Sequence, residues 1–172
     1  MAKKVKQSAG ILFYMYNTST NSIEFLVQQR TRKKKTWIED FGGKQESHDK
    51  DILETALREA SEETNCMFLH ESKIINATFD EYKYLVDNSI DRLRKVMNGV
   101  KLSLTDKSYT LFLVKIPFAM SCSFYTSSYE INPKFRVKRG VMWVDKHDFY
   151  NMKYIHIHPR LRSFHNTLRQ LL

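Results

Sequence analysis

Between Asp51 and Thr64 the chain reads DILETALREASEET, and Ile52, Leu53, Ala56, Leu57 and Ala60 recur at helical spacing. Asp49 or Asp51 can cap its start, and Asn65 can end it in the left-handed conformation. On this helix Glu59, Glu62 and Glu63 stand at i, i+3 and i+4, so three carboxylates share one face within one turn. Like charges so placed destabilise a bare helix by about 0.2–0.5 kcal/mol per pair, and a hard divalent cation offsets that through oxygen ligands. Three glutamates on a helix are usually a solvated face, but the segment before this one adds to them. Gly42-Gly43 marks a turn where backbone bends or approaches something closely, and a polar loop then leads into the acidic helix.

Around this unit the chain alternates strands and helices. Residues 9–16 and 23–28 are β-rich runs joined by NTSTNS, a hairpin connection. Residues 30–36 read as a basic loop, 72–78 as a strand, and Ile90, Leu93 and Met97 give a helical pattern over Asp87–Met97. Tyr109–Ile116 reads as a buried strand stopped by Pro117, and Val137–Val144 as another. After Pro159, Leu161, Phe164, Leu168 and Leu171 predict one closing helix whose other face carries Arg160, Arg162, His165 and Arg169. Strands on both sides of one strong helix, closed by a second, imply an α/β sandwich with a mixed sheet. The 172 residues suit one domain spanning 1–172, with no linker or repeat.

The segment GGKQESHDKDILETALREASEETNC resembles the Nudix box, written G-x5-E-x7-R-E-U-x-E-E-x-G-U with U aliphatic. Its second half matches at every charged position, from Arg58-Glu59 through Glu62-Glu63 to Cys66. The first half departs from the pattern. The stretch from Gly43 to Arg58 is one residue too long, so Asp49 stands at the first Glu counting from Gly43 and Lys50 does counting back from Arg58; Asn65 replaces the final Gly. An added loop residue costs little.

The resemblance implies an α/β/α sandwich with a mixed β-sheet and a Mg2+- or Mn2+-dependent hydrolase. Such an enzyme cleaves the diphosphate linkage of a nucleoside diphosphate derivative by water attack at phosphorus. Carried over by position, Glu59, Glu62 and Glu63 would ligate the metal with a backbone carbonyl near Gly42, and Glu59 could also handle the attacking water. By helical spacing Arg58 points away from the face of the three glutamates, and by resemblance it would orient the carboxylates without binding metal. Glu130, with Asp106 and Glu81 behind it, is the candidate for a further loop acid.

Charge bears on the substrate. From Glu39 to Glu63 there are nine acids and three bases, so a chain of net charge +9 carries +15 on its other 147 residues. Five of the six residues Arg30–Lys35 and four of the six Lys134–Arg139 are basic. Arg30, Arg32, Lys33 and Lys44 are therefore the candidate phosphate-binding residues, and Tyr14, Trp37, Phe41 and Phe124 could stack on a base. A free nucleotide is one substrate class. A capped or 5′-phosphorylated RNA is the other, as for a decapping enzyme, since phosphate contacts dominate RNA affinity. A silent RNA- or protein-binding module with the same fold is the non-enzymatic alternative.

His156, His158 and His165 lack neighbouring cysteines or carboxylates and do not read as a zinc site. Cys66 and Cys122 lack the spacing of a zinc knuckle or disulfide framework. No apolar run approaches the ~18–20 residues of a membrane span, and MAKKVKQSAG lacks a cleavable leader's apolar stretch, so a cytoplasmic location is expected.

Overall fold

A computed structural model describes residues 7–32, 35–64, 66, 78–97, 102–117 and 139–172. Strand β1 (Ser8–Asn17) turns through Asn21, which takes a left-handed φ of 54°, into β2 (Ser22–Arg32). The two pair antiparallel with Phe13 opposite Leu26. Next come β3 (Lys35–Glu39), β4 (Phe41–Lys44), helix α1 (Ile52–Glu63) and helix α2 (Phe79–Met97). Strands β5 (Leu102–Asp106), β6 (Tyr109–Lys115) and β7 (Arg139–Asp145) complete the sheet. Short helices α3 (Lys146–Asn151), α4 (Pro159–Arg162) and α5 (His165–Leu171) finish the chain, with a 3-10 turn at Tyr154–His156.

The sheet order is β3-β2-β1-β6-β5, with β4 also on β1 and β7 also on β2. β1 runs parallel to β6 and antiparallel to β2 and β4, so the sheet is mixed. Alternation along β1 divides the core. Ala9, Ile11, Phe13 and Met15 pack with Ala56, Leu57, Ala60, Leu93 and Met97 of α1 and α2. Leu12 joins Phe25, Val27, Phe149, Ile157, Leu161, Phe164 and Leu168 on the opposite side. Helices thus cover both faces, and the α/β/α sandwich with a mixed β-sheet is the observed fold.

Several local expectations change. The basic stretch 30–36 is not a loop: β2 runs to Arg32 and β3 starts at Lys35, with Thr31 opposite Thr36. Thr31, Lys35 and Thr36 are exposed and carry no apolar side chain, which is why periodicity missed these strand ends. Gly42-Gly43 lies in β4 rather than in a turn, but the close approach is real: a Cβ on Gly42 would sit 2.5 Å from the Gly10 Cα. The helix expected over Asp87–Met97 starts eight residues earlier, at Phe79. The closing helix is broken at Ser163 and Phe164, and its supposed outer face is divided, because Arg160 and His165 point inward. The strand expected at 72–78 lies, apart from Thr78, outside the described residues, as do Asn65 and Cys122.

Candidate metal and phosphate site

Helix α1 is aimed by its ends. Asp51 caps it by accepting the Glu54 amide at 2.7 Å, and the Thr64 amide closes onto the Ala60 carbonyl at 3.0 Å. Past the end, Cys66 takes a left-handed φ of 57° and donates its amide to the Ser61 carbonyl. Leu57 and Ala60 are buried against β1, which turns the face bearing residues 59, 62 and 63 toward β4.

Arg58 is the hub. It does not point away from the carboxylates, as expected from helical spacing, but lies among them. Its Nε donates to Asp49 Oδ1 at 2.9 Å, and its Nη2 donates to Asp49 Oδ2 and to the Lys44 carbonyl, both at 3.1 Å. Its Nη1 lies 3.2 Å from Glu59 Oε1 and 3.2 Å from Glu62 Oε2. Asp49 therefore fills the place of the box's first Glu, while Lys50 is solvated, and the surplus residue is absorbed between Asp49 and Arg58. Aspartate is one methylene shorter than glutamate, and the longer loop brings it within reach. Burial raises the Asp49 carboxyl, but its bonds to Arg58 and the Glu46 amide outweigh that and hold it below the usual range.

Glu63 is buried and fixed differently. Its Oε2 accepts the Gly42 amide at 2.8 Å and the Gln28 Nε2 at 2.6 Å. Glu59 faces Gly43, whose missing Cβ leaves space for its carboxyl group. Burial pushes Glu59 up to about 7 despite Arg58, with Glu62 adding to the rise. Burial also pushes Glu62 up to about 7, against Arg58 and with help from Glu46.

Beneath β4 a second network reaches the same strand. Arg160 of α4 donates its Nε to Asp40 Oδ1 at 2.9 Å, its Nη2 to the Asp40 carbonyl at 2.7 Å, and its Nη1 to the Gly42 carbonyl. The Tyr109 hydroxyl donates to Asp40 Oδ2, and the guanidinium sits 5.6 Å from the Tyr109 ring centroid. Burial and the Asp40 charge drive the Tyr109 hydroxyl well above its ordinary range.

The remaining candidates are scattered. Arg30 lies 3.5 Å from the buried Glu39, whose other oxygen faces His158 and Arg160. The Lys44 side chain is exposed at the end of β4, and Arg32 ends β2 opposite Lys35. Lys33, Glu130 and Phe124 lie outside the described residues. Glu81 accepts the Thr78 amide and hydroxyl at the start of α2, an N-terminal capping arrangement. Phe41 is wholly in the core and cannot stack on a base, whereas Trp37 is half-buried with its ring 5.9 Å from His158. The Gly42 carbonyl, proposed from the motif as a ligand, already accepts a guanidinium N–H and has one lone pair left.

Gln28, Tyr109 and Arg160 were not singled out from sequence. The signal that could have found them is the pair of acids Glu39 and Asp40, separated from the glycine pair by Phe41 alone.

The carboxylates suit a hard dication by chemistry: they are oxygen donors, and two of them carry a burial penalty that a dication relieves. They are not drawn together on one point. Among the described residues no three His, Cys, Asp or Glu side chains converge tightly enough to hold an ion, because Glu59 and Glu62 are turned to Arg58 and Glu63 to β4.

The class follows from the family comparison. Residues 6–94, just over half the chain, match the NUDIX domain model. The chain belongs to the NUDIX family. No curated protein sequence matches it. Among solved structures, the NUDIX domain of Shewanella oneidensis NrtR, complexed with ADP ribose, is similar with TM-score 0.53 and 13% identity, covering 99% of this chain and 91% of that one. A C. elegans Ap4A hydrolase binary complex is similar with TM-score 0.48 and 16% identity, covering 97% of both chains. No described helix is long and apolar enough to cross a membrane.

Proposed function

We propose that the protein is a Mg2+- or Mn2+-dependent pyrophosphohydrolase that cleaves the diphosphate linkage of a nucleoside diphosphate derivative by attack of water at phosphorus. The observation that carries this is the buried carboxylate group of α1, held by Arg58 and by the Gly42 amide. Glu59, Glu62 and Glu63 would hold the dication. When bound, it stabilises charge developing on the phosphate oxygens and lowers the pKa of water.

Glu59 is the general base in this reading. It meets Arg58 through Oε1, and its carboxylate would take the proton of the attacking water. The water oxygen bonds to phosphorus, the bridging P–O bond breaks, and the water's proton passes to Glu59. Glu63 cannot share that duty easily, because two N–H donors already fix its Oε2. Arg58 keeps Glu59 and Glu62 at one end of the site, and Lys44 offers an exposed cation beside it for a phosphate.

A nucleotide substrate agrees with the ADP ribose held by the NrtR NUDIX domain. The test is phosphate or nucleotide release with Mg2+ from a panel of nucleoside triphosphates, nucleotide sugars, ADP ribose, dinucleoside polyphosphates and capped or 5′-phosphorylated RNA. Turnover of at least one member, abolished by EDTA and by Glu63→Gln, is the expected result. No turnover on any member, with tight RNA binding retained, makes the protein a silent binding module. If RNA is the substrate, its cleavage falls steeply with salt, whereas cleavage of a free nucleotide changes little.

A further inference from the structure

We propose that Arg160 is a positioning residue for the carboxylate site, acting through Asp40 and Gly42 on Glu63; this rests on the hydrolase reading above. Arg160 lies in α4, far outside the matched residues 6–94, so family membership assigns it no role. It is brought to the site by tertiary structure. Ile157 bridges to Ile38, the His158 amide donates to the Ile38 carbonyl at 2.9 Å, and Leu161 is buried in the adjoining core.

From there the guanidinium spans the junction of β3 and β4. Its three nitrogens engage the Asp40 carboxylate, the Asp40 carbonyl and the Gly42 carbonyl, a set that only a planar fork can satisfy at once. The same two residues connect to Glu63, Gly42 directly and Asp40 through Gln28. The Gly42 amide donates to Glu63 Oε2, and Gln28 Nε2 donates both to that oxygen and to the Asp40 carbonyl. The Asp40 carbonyl therefore receives Arg160 from one side and Gln28 from the other. Tyr109 completes the brace by donating to Asp40 Oδ2.

A shift of the junction moves the amide and the amide side chain that fix Glu63. The Arg160 side chain is 17% exposed and makes no contact with Glu59 or Glu62 closer than Arg58 does. It reaches Glu63 through the backbone of Asp40 and Gly42, beside the coulombic pull it also exerts on Glu59 and Glu63. Charge alone does not do this, because a lysine supplies one ammonium point where three directions are used.

The experiment compares wild type with Arg160→Gln and Arg160→Lys by amide hydrogen exchange at Gly42 and at Leu12 in the core. It is joined by Mn2+ titration followed by EPR and by kcat and KM on the best panel substrate. The expected result in both variants is Gly42 exchange faster by about tenfold or more with Leu12 unchanged, kcat lower by about 10- to 100-fold, and KM within twofold. Wild-type Gly42 protection, Gly42 and Leu12 accelerated in step, a loss lying wholly in KM, or full rescue by lysine each overturns the proposal. Should the Arg160 variants fail to fold, Tyr109→Phe removes one arm of the brace and is expected to show a smaller form of the same selective Gly42 effect; its absence overturns the proposal. If wild type turns over no substrate, the hydrolase reading fails, while the Gly42 exchange still reports on the brace.

Discussion

Replacing Arg58 with Met tests the electrostatic hub directly. The side chain is 8% exposed and faces three carboxylates, those of Asp49, Glu59 and Glu62, at 2.9–3.2 Å. Methionine keeps most of the volume but removes the only cation within 4 Å of Glu59 among the described residues, leaving a cluster of uncompensated negative charge. Breaking a buried ion pair by deleting one partner costs about 3–5 kcal/mol. Loss of the Lys44 carbonyl's donor adds to this, but the contributions are coupled and do not sum. For a domain of this size each kcal/mol shifts Tm by roughly 2–4 °C, so a drop of roughly 6–20 °C is expected.

Urea unfolding and thermal melts measure it. Because the damage is excess negative charge, Asp49→Leu in the Arg58→Met background should return part of the loss, with a coupling of about 1 kcal/mol or more. Arg58→Met melting within about 2 °C of wild type, or a double variant showing no coupling, would refute the argument that Arg58 neutralises a buried anionic cluster.

Two further outcomes are expected. Burial raises the Glu59 and Glu62 carboxyls from the 4.5 of an ordinary glutamate to about 7, so both states are protonated below pH about 4.5 and the folded state bears the full penalty above about 7. Metal-free protein should lose Tm as pH rises between those values, and Mg2+ or Mn2+ at one fixed concentration, 100-fold over its Kd at pH 8 and worth about 2.7 kcal/mol there, should raise Tm clearly more at pH 8 than at pH 5.5; a shift independent of pH contradicts this. Gly43→Ala places its Cβ against the flexible end of Glu59, so the protein should fold with little loss of Tm but with kcat about 10- to 100-fold lower; Gly42→Ala meets the backbone of Ala9 and Gly10 and should fail to fold stably, and equal effects of the two on folding count against the geometry.

Sequence alone determined what depends on local order. The period of Ile52, Leu53, Ala56, Leu57 and Ala60 set helix α1 and with it the common face of Glu59, Glu62 and Glu63. The β-rich runs 9–16 and 23–28 with NTSTNS between them set the first hairpin, and the order of strands and helices, with the family motif, implied the sandwich. These signals survive in one dimension because helix and strand periods are backbone properties.

Tertiary structure alone decided which acid answers Arg58. Two registers of the motif left Asp49 and Lys50 equally eligible, and only the folded loop places Asp49 on the guanidinium. It also turned Arg160 inward. From sequence this arginine belonged, with Arg162, His165 and Arg169, to the face of one closing helix opposite its apolar residues. Its partners Asp40 and Gly42 are more than a hundred residues away, and a buried charge is sited by whatever opposite charge the fold delivers to it, which no local pattern encodes.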